Sequence, residues 1–122
     1  MVTDPNNELE VRIENGYRSL WSLRKFRQGQ TILGLPLTTQ AQPDKYSIEA
    51  WPGIHLDCEL SLAGAINHSC EPNSAVKGGA IVAWNCIQPG EQITIDYKRT
   101  ERKLASPFDC NCGAKNCRRR IE

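Results

Sequence analysis

The sequence lacks the long apolar runs and the charge excess that mark membrane proteins and many nucleic-acid binders. No apolar run approaches the roughly 20 residues that a membrane-spanning helix needs. The 15 basic residues nearly balance the 14 acidic ones, and the formal net charge of +1 does not favour a polyanionic partner. Residues 1–10 are polar and acidic, without the apolar core of a secretory signal. We therefore expect an intracellular protein that makes no membrane contact and recognises its partner through local contacts.

The chain also lacks internal repeats, low-complexity tracts and any obvious linker. A length of 122 residues with 39% hydrophobic residues is enough for one domain with a modest core. In an intracellular protein, the six cysteines are expected to be reduced, bound to a metal or catalytic. The sequence therefore predicts a single folding unit with free or metal-bound thiols.

Short β-branched and aromatic segments separated by turn residues predict a mainly β protein. The predicted strands are residues 17–23, 30–38, 46–50, 54–57, 74–76, 80–87 and 91–97. We expect the first two to pair with each other, and we expect hairpins around Gly53 and Gly78. Only residues 58–66 resemble a helix, and Gly64 weakens that interpretation.

Three cysteines near the carboxy end, Cys110, Cys112 and Cys117, have a C-x-C-x4-C spacing. Three thiolates around a glycine-bearing loop suit zinc, but a closed tetrahedral structural site needs four ligands. The candidates for the fourth ligand are Cys58, Cys70, Cys86, His55 and His68. On the spacing alone, inert buried thiols or stray disulfide partners stay alternatives to a zinc site.

Two further strings occur in order ahead of this cysteine tail. Residues 66–73 read Ile-Asn-His-Ser-Cys-Glu-Pro-Asn, and residues 90–97 read Gly-Glu-Gln-Ile-Thr-Ile-Asp-Tyr. Together with the tail, they resemble the SET-domain protein lysine methyltransferases that carry a cysteine-rich post-SET tail. The resemblance implies a SET-domain (β-clip) fold of short strands with a knot-like carboxy-terminal segment. It divides the chain into a polar tail at 1–10, a SET domain at 11–104 and a post-SET zinc tail at 105–122.

The resemblance also supplies the missing metal ligand. In the family, the cysteine of the Asn-His-Ser-Cys string joins the three tail cysteines around one structural zinc ion. The implied ligands are Cys70, Cys110, Cys112 and Cys117. Cys58 and Cys86 are then ordinary thiols. Such an ion would pin the tail to a distant loop in a domain too small to rely on packing alone.

The reaction implied by the resemblance is methyl transfer from S-adenosylmethionine to the side-chain nitrogen of a lysine. A free lysine has a pKa of about 10.4, so the site must present a neutral amine in line with the methyl group. The family places a tyrosine hydroxyl beside that amine, and the match assigns this catalytic role to Tyr97. Ile95 would line the lysine channel on the same strand face, and because it has no hydroxyl we expect products beyond monomethyl-lysine. From the residues alone, both are also compatible with ordinary strand positions.

The same resemblance implies the cofactor contacts. Asn67 and His68 would hold S-adenosylmethionine, although Asn and His in a loop are more often turn formers. Tyr17 and Ile121 are the other predicted cofactor-binding residues, and Ile121 would cover the adenine ring.

The sequence departs from the family pattern at several positions. The usual Gly-x-Gly near the first strand is missing, since only Gly16 precedes that strand. Gly64 and Ala65 replace the common Arg-Phe pair ahead of the Asn-His string. The missing Gly-x-Gly supports the main alternative, a catalytically inactive SET-like zinc module for protein binding. A small zinc-bearing nucleic-acid binder that uses the arginines at 118–120 is a second alternative, but the near-neutral charge argues against it.

The expected partner is a protein or peptide with an exposed lysine, from a histone tail or another basic protein. It would bind as an extended peptide beside a strand edge. Nucleic acid is not expected as a direct substrate, and the sequence leaves open whether the chain forms a homodimer. The expected location is cytoplasmic, or nuclear and chromatin-associated if the substrate is a histone.

Overall fold

The computed structural model describes residues 2–3, 6–101 and 104–122, and the described chain is mainly β. Short strands dominate because β-branched and aromatic segments alternate with turn residues along the chain. The strands are β1 Val2–Thr3, β2 Leu9–Glu14, β3 Tyr17–Ser22, β4 Thr31–Gly34, β5 Thr39–Gln40, β6 Ser47–Trp51, β7 Ile54–Asp57, β8 Asn67–His68, β9 Ser74–Lys77, β10 Ala80–Ala83, β11 Thr94–Ile95, β12 Phe108–Asp109 and β13 Arg120–Ile121. The helices are a 3₁₀ helix at Leu62–Ala65 and α1 at Tyr97–Thr100.

The amino-terminal sheet has the antiparallel order β1-β2-β3. Its β2–β3 hairpin turns at Asn15 and Gly16, whose φ angles of 52° and 80° match a two-residue turn that needs two positive φ values. Leu9 and Val11 of β2 and Leu20 of β3 are buried in the core. The alternation of buried and exposed positions fixes the register of this hairpin.

The predicted pairing of residues 17–23 with residues 30–38 is wrong. β3 pairs with β2, because a two-residue turn joins these neighbours, whereas β4 pairs with the distant β10. β2 begins at Leu9, so the sheet extends into the segment that we predicted as a polar tail.

The two hairpins predicted from turn glycines are confirmed. β6 pairs with β7 around Gly53, and β9 pairs with β10 around Gly78. Both glycines have a positive φ, of 78° and 52°. β10 ends at Ala83 rather than at residue 87, because the next two backbone N–H groups both donate to the carbonyl of Asn73.

The predicted last strand, residues 91–97, is mostly not a strand. Thr94–Ile95 pair in parallel with Asn67–His68, and Gln92 forms only an isolated antiparallel bridge with Trp21. Asp96 ends the strand and caps α1, since its side chain accepts a hydrogen bond from the Lys98 N–H at 3.0 Å. Tyr97 is therefore the first residue of a helix, and the β12–β13 pair follows later in the chain.

The predicted helical segment, residues 58–66, contains one turn of 3₁₀ helix. Gly64 is required in this turn, because a Cβ at this position would lie 2.2 Å from the carbonyl oxygen of Cys58. Only a residue without a side chain permits such a close backbone approach. The turn leads directly into β8 and so places the Asn-His string beside β11.

Two groups of buried side chains hold the fold together. The larger cluster joins the sheets and includes Leu20, Phe26, Ile81, Ile93 and Ile95. The smaller cluster joins the tail to the loop after β8 and consists of Cys70, Leu104, Cys110 and Ile121. Tyr97 packs against both clusters. Among the described residues, no helix has the length and apolar character to cross a membrane.

Candidate active site and metal centre

Four cysteines converge where the tail meets the loop after β8. The Sγ atoms that lie within 4.8 Å of one another belong to Cys70, Cys110, Cys112 and Cys117. The Cys70 and Cys110 sulfurs are 3.9 Å apart, and tetrahedral sulfurs at the usual Zn–S distance would be about 3.8 Å apart. Cys58 is buried in the larger core cluster and Cys86 is exposed, so both lie outside this centre. The four residues therefore fit a closed structural zinc site.

The sulfurs of this centre crowd one another. Burial raises the pKa of the Cys110 thiol to about 12. The pKa of Cys112 is lowered to about 6, since its burial is outweighed by hydrogen bonds from the backbone of Cys70 and Ala114. Without a metal, the four thiols therefore differ in how readily they lose their protons. A bound divalent cation would stabilise all four as thiolates.

A cleft of about 810 Å³ opens beside the cysteine centre. Its wall is formed by the β2–β3 turn, the 3₁₀ helix, β8, the β11–α1 junction and tail residues 104–112. The predicted site residues on this wall are Tyr17, Asn67, His68, Ile95 and Tyr97. A cleft of this size can hold a drug-sized or nucleoside-sized ligand.

The Tyr97 hydroxyl is anchored at the cleft wall. It donates a hydrogen bond to the backbone carbonyl of Ile66, at 2.7 Å. Burial, with a smaller contribution from the Glu101 carboxylate, raises the pKa of Tyr97 to about 12. The ring packs against His68 and Phe108, with ring centroids 5.3 and 5.9 Å away. The phenol is therefore neutral near pH 7, and because its hydrogen is already donated its oxygen can only accept a further hydrogen bond.

Asn67 and His68 use their side chains within the protein. The Asn67 amide nitrogen donates to the Arg18 carbonyl at 3.1 Å and to the Gln92 side-chain oxygen at 3.0 Å, which ties β8 to the neighbouring strand. The His68 side chain is only 1% exposed and lies between Tyr97 and Cys70. Both residues nevertheless line the cleft.

Tyr17 and Ile121 differ sharply in exposure. Tyr17 stands at the cleft mouth with 79% of its surface exposed. Ile121 is 1% exposed in the smaller core cluster and is not among the described residues that form the cleft wall. Its predicted contact with an adenine ring stays a prediction, one that would require Ile121 to leave this cluster.

Ile95 and Tyr97 line the same cleft, but the expected reason was wrong. We predicted that strand alternation would put both side chains on one face. The strand ends at Ile95, and Tyr97 begins α1, so the helical turn that Asp96 caps brings the phenol back to the cleft. Ile95 is 2% exposed and belongs to the larger core cluster.

Sequence reasoning missed a buried carboxylate at this site. Glu101 is 8% exposed, lines the cleft, and accepts a hydrogen bond from the Glu49 backbone N–H at 2.9 Å. Burial raises the pKa of Glu101, although the hydrogen bond from Glu49 opposes this. A lone Glu among charged neighbours carries no sequence signal of burial, because its surroundings come from β6, which is distant in the chain.

The fold and the site together define a class: mainly β domains in which an Asn-His string and an Asp-Tyr string meet beside a four-cysteine centre. The family model described as "SET domain" matches residues 5–98. The chain belongs to the SET domain family.

Several known proteins are similar to this chain. It is 44% identical over 67 residues to histone-lysine N-methyltransferase 2B of Homo sapiens, a match that covers 48% of this chain and 2% of that protein. It is 36% identical over 64 residues to histone-lysine N-methyltransferase ASHH3 of Arabidopsis thaliana, covering 46% of this chain and 17% of that protein. The fold resembles a crystal structure of KRYPTONITE in complex with mCHH DNA, an H3(1-15) peptide and SAH, with a TM-score of 0.73, 25% identity, and coverage of 93% of this chain and 29% of that one. The chain spans less than a third of each of these proteins.

Proposed function

We propose that this chain is an S-adenosylmethionine-dependent protein-lysine N-methyltransferase. The observation that carries the proposal is the Tyr97 hydroxyl, held by the Ile66 carbonyl on the wall of a cleft that Asn67 and His68 also line. Relatives named as histone-lysine N-methyltransferases support the reaction. A structural neighbour that contains SAH, the demethylated form of S-adenosylmethionine, supports the cofactor.

When bound, S-adenosylmethionine supplies a methyl group on a positively charged sulfur. The substrate lysine must lose its proton before its lone pair can form the new N–C bond, and a nearby positive charge favours that loss. The bond between sulfur and the methyl carbon would break in the same displacement, with SAH as the neutral leaving group. Tyr97 is assigned as the catalytic residue, since its free oxygen lone pairs can accept a hydrogen bond from the amine and hold the nitrogen in line. Its high pKa means that it orients the amine rather than removing the proton. Ile95 is assigned to the wall of the lysine channel.

The cofactor contacts are assigned to Asn67 and His68, with Tyr17 at the cleft mouth as a further contact. One structural zinc is assigned to Cys70, Cys110, Cys112 and Cys117. The zinc would act at a distance, because it fixes tail residues 104–112, which form one wall of the cleft. Without it, that wall would have only the small core cluster to hold it.

The proposed substrate is a lysine in a histone tail or in another basic protein. The H3 peptide in the KRYPTONITE complex and the names of the relatives support the histone. A histone substrate places the site of action in the nucleus, on chromatin. The substrate would lie along the cleft as an extended peptide, with only its lysine side chain reaching Tyr97.

In the decisive experiment, the zinc-loaded protein and methyl-labelled S-adenosylmethionine are incubated with two protein pools in separate reactions. One pool contains core histones, and the other contains other basic proteins. We expect label on a lysine of at least one pool. Tyr97→Phe should lower kcat by about 100-fold or more, whereas its affinity for S-adenosylmethionine should stay within about threefold of wild type. Tyr46→Phe makes the same chemical change at a partly buried ring elsewhere on the cleft wall and should cost far less. Cofactor binding without transfer to any pool would instead support the inactive module.

A further inference from the structure

The His68 side chain lies between the proposed catalytic tyrosine and the metal centre. Its Nδ1 atom is 3.0 Å from the backbone nitrogen of Tyr97, which donates to it. Its Nε2 atom is 3.3 Å from the Sγ of Cys70. The ring is also clamped between aromatic neighbours, with centroids 5.3 Å from Tyr97 and 5.7 Å from Phe108. Both ring nitrogens thus have a protein partner, and the His68 side chain is almost fully buried.

These contacts determine which nitrogen carries the hydrogen. A backbone N–H can only donate, so the Nδ1 atom that faces Tyr97 must carry a lone pair. The imidazole is then neutral with its hydrogen on Nε2, which points at Cys70. Cys70 receives a second N–H from the backbone of Arg118, with a nitrogen–sulfur distance of 3.4 Å. Two donors on one sulfur suit a negatively charged, metal-bound thiolate better than a neutral thiol.

The other contact concerns the start of α1. The first N–H groups of a helix have no partner within the helix. The Asp96 side chain accepts a hydrogen bond from the Lys98 N–H, and the His68 side chain accepts one from the Tyr97 N–H. Asp96 in turn receives a hydrogen bond from the Arg118 guanidinium at 2.6 Å. The helical turn that carries the Tyr97 ring is therefore joined to the cysteine centre and its tail by two routes.

We propose that His68 is a positioning residue that couples the zinc centre to Tyr97, accepting the Tyr97 N–H at Nδ1 and donating from Nε2 to the Cys70 thiolate. This role rests on the proposed function only in that Tyr97 acts in catalysis. The hydrogen bonds themselves follow from the geometry. The metal centre would then set the position of the phenol as well as hold the tail.

Two substitutions separate the contacts. Glutamine places an amide nitrogen near the Nε2 position, so His68→Gln keeps a donor to Cys70 but loses the acceptor for Tyr97. Asparagine places an oxygen near the Nδ1 position, so His68→Asn keeps that acceptor but does not reach Cys70. We expect His68→Gln to bind zinc within about threefold of wild type while kcat falls by about tenfold or more. We expect His68→Asn to weaken zinc binding by about tenfold or more, with a smaller loss of kcat once zinc is saturating.

Zinc affinity is measured by competition with a chromophoric chelator, and cobalt substitution reports the number of bound thiolates, four in the wild type, through their charge-transfer absorption. If both variants lose zinc affinity and kcat in parallel, or if both keep them, the coupling is overturned. If a variant does not fold, an NMR measurement on the zinc-loaded wild type still tests the proposal. The ¹⁵N spectrum should show His68 protonated at Nε2, with a scalar coupling between Nδ1 and the Tyr97 amide nitrogen. The opposite tautomer would overturn the proposal even in a protein that transfers no methyl group, whereas absent transfer with the expected spectrum would overturn only the proposed function.

Discussion

In the proposed reaction, Ile95 would limit the room of the lysine nitrogen, because it lines the cleft together with Tyr97 and carries no hydroxyl to hold a methylated amine or a water. We predict that wild-type protein accumulates dimethyl- or trimethyl-lysine. Ile95→Tyr should shift the products toward monomethyl-lysine, since the added hydroxyl can hold the amine and limit its rotation. Mass spectrometry of a methylated peptide over a time course measures the distribution.

Ile95→Phe is the matched control for that change. Ile95 is buried, so any large aromatic ring strains the site, and only the hydroxyl differs between the two variants. If Ile95→Phe gives the same product shift as Ile95→Tyr, bulk rather than the hydroxyl limits the reaction. Wild-type protein that stops at one methyl group with cofactor in excess would contradict the prediction itself.

The burial of Glu101 predicts that its ionised carboxylate lowers stability at neutral pH. Burial raises its folded pKa above the ordinary value of 4.5. When the pKa of a carboxyl is higher in the folded than in the unfolded protein, the group contributes fully to stability at a pH below its unfolded pKa. This contribution is lost as the pH rises through the pKa of the folded state. We therefore predict that Glu101→Gln raises the Tm by a few degrees at neutral pH and raises it less near pH 4.5. The amide oxygen can still accept the Glu49 N–H.

Thermal unfolding followed by circular dichroism at both pH values tests the effect. Glu14→Gln removes the same charge from an exposed position of β2 and should leave the Tm nearly unchanged. A Glu101→Gln variant that is less stable than wild type at neutral pH would show that the ionised carboxylate contributes more than its burial costs.

At the scale of elements, the 3₁₀ helix that leads into the Asn-His string depends on Gly64. A methyl group there would meet the Cys58 backbone at 2.2 Å, and backbone cannot move aside as a flexible side chain can. We predict that Gly64→Ala destabilises the protein by about 2 kcal/mol or more. Gly34→Ala makes the same change in β4, where a Cβ would have open space, and should cost less than about 1 kcal/mol.

Urea unfolding of the two glycine variants measures the difference. Equal midpoints would mean that the 3₁₀ helix can shift away from Cys58 at little cost. If Gly64→Ala also weakens S-adenosylmethionine binding in the folded protein, the turn sets the position of β8 as well as its stability.

At the scale of the whole molecule, the four-cysteine centre joins the tail to the sheet core. We predict that the purified protein binds zinc in a one-to-one ratio, that Cys70→Ser loses it, and that Cys86→Ser keeps it, because Cys86 is exposed and outside the centre. Elemental analysis of the variants measures the metal. The ligand set is wrong if Cys70→Ser keeps full zinc affinity while Cys86→Ser or Cys58→Ser loses it.

Removal of the zinc should also have a local effect. Hydrogen exchange after chelation is expected to rise in residues 104–122, which rest on the small core cluster, and to change little in β2 and β3, which belong to the larger cluster. Uniform loss of protection would show that the metal stabilises the entire fold.

The sequence alone determined the family and several local turns. The three strings in their order carry the resemblance to the SET domain family, and that resemblance implied the four ligands of the proposed zinc site and the role proposed for Tyr97. The hairpins at Gly53 and Gly78 were predictable because a positive φ is a local requirement. The β2–β3 hairpin carried a local signal as well, the Asn15-Gly16 pair, which sequence reasoning did not use.

Only the tertiary structure decided how these pieces meet. The partner of β4, the parallel pairing of β8 with β11, and the burial of Glu101 under β6 all depend on contacts between segments far apart in the chain. The orientation of His68, with one nitrogen on Tyr97 and the other on Cys70, likewise appears only when both neighbours are in place. Periodicity and propensity describe a residue's neighbours in sequence, whereas these features come from side chains that packing brings together from elsewhere.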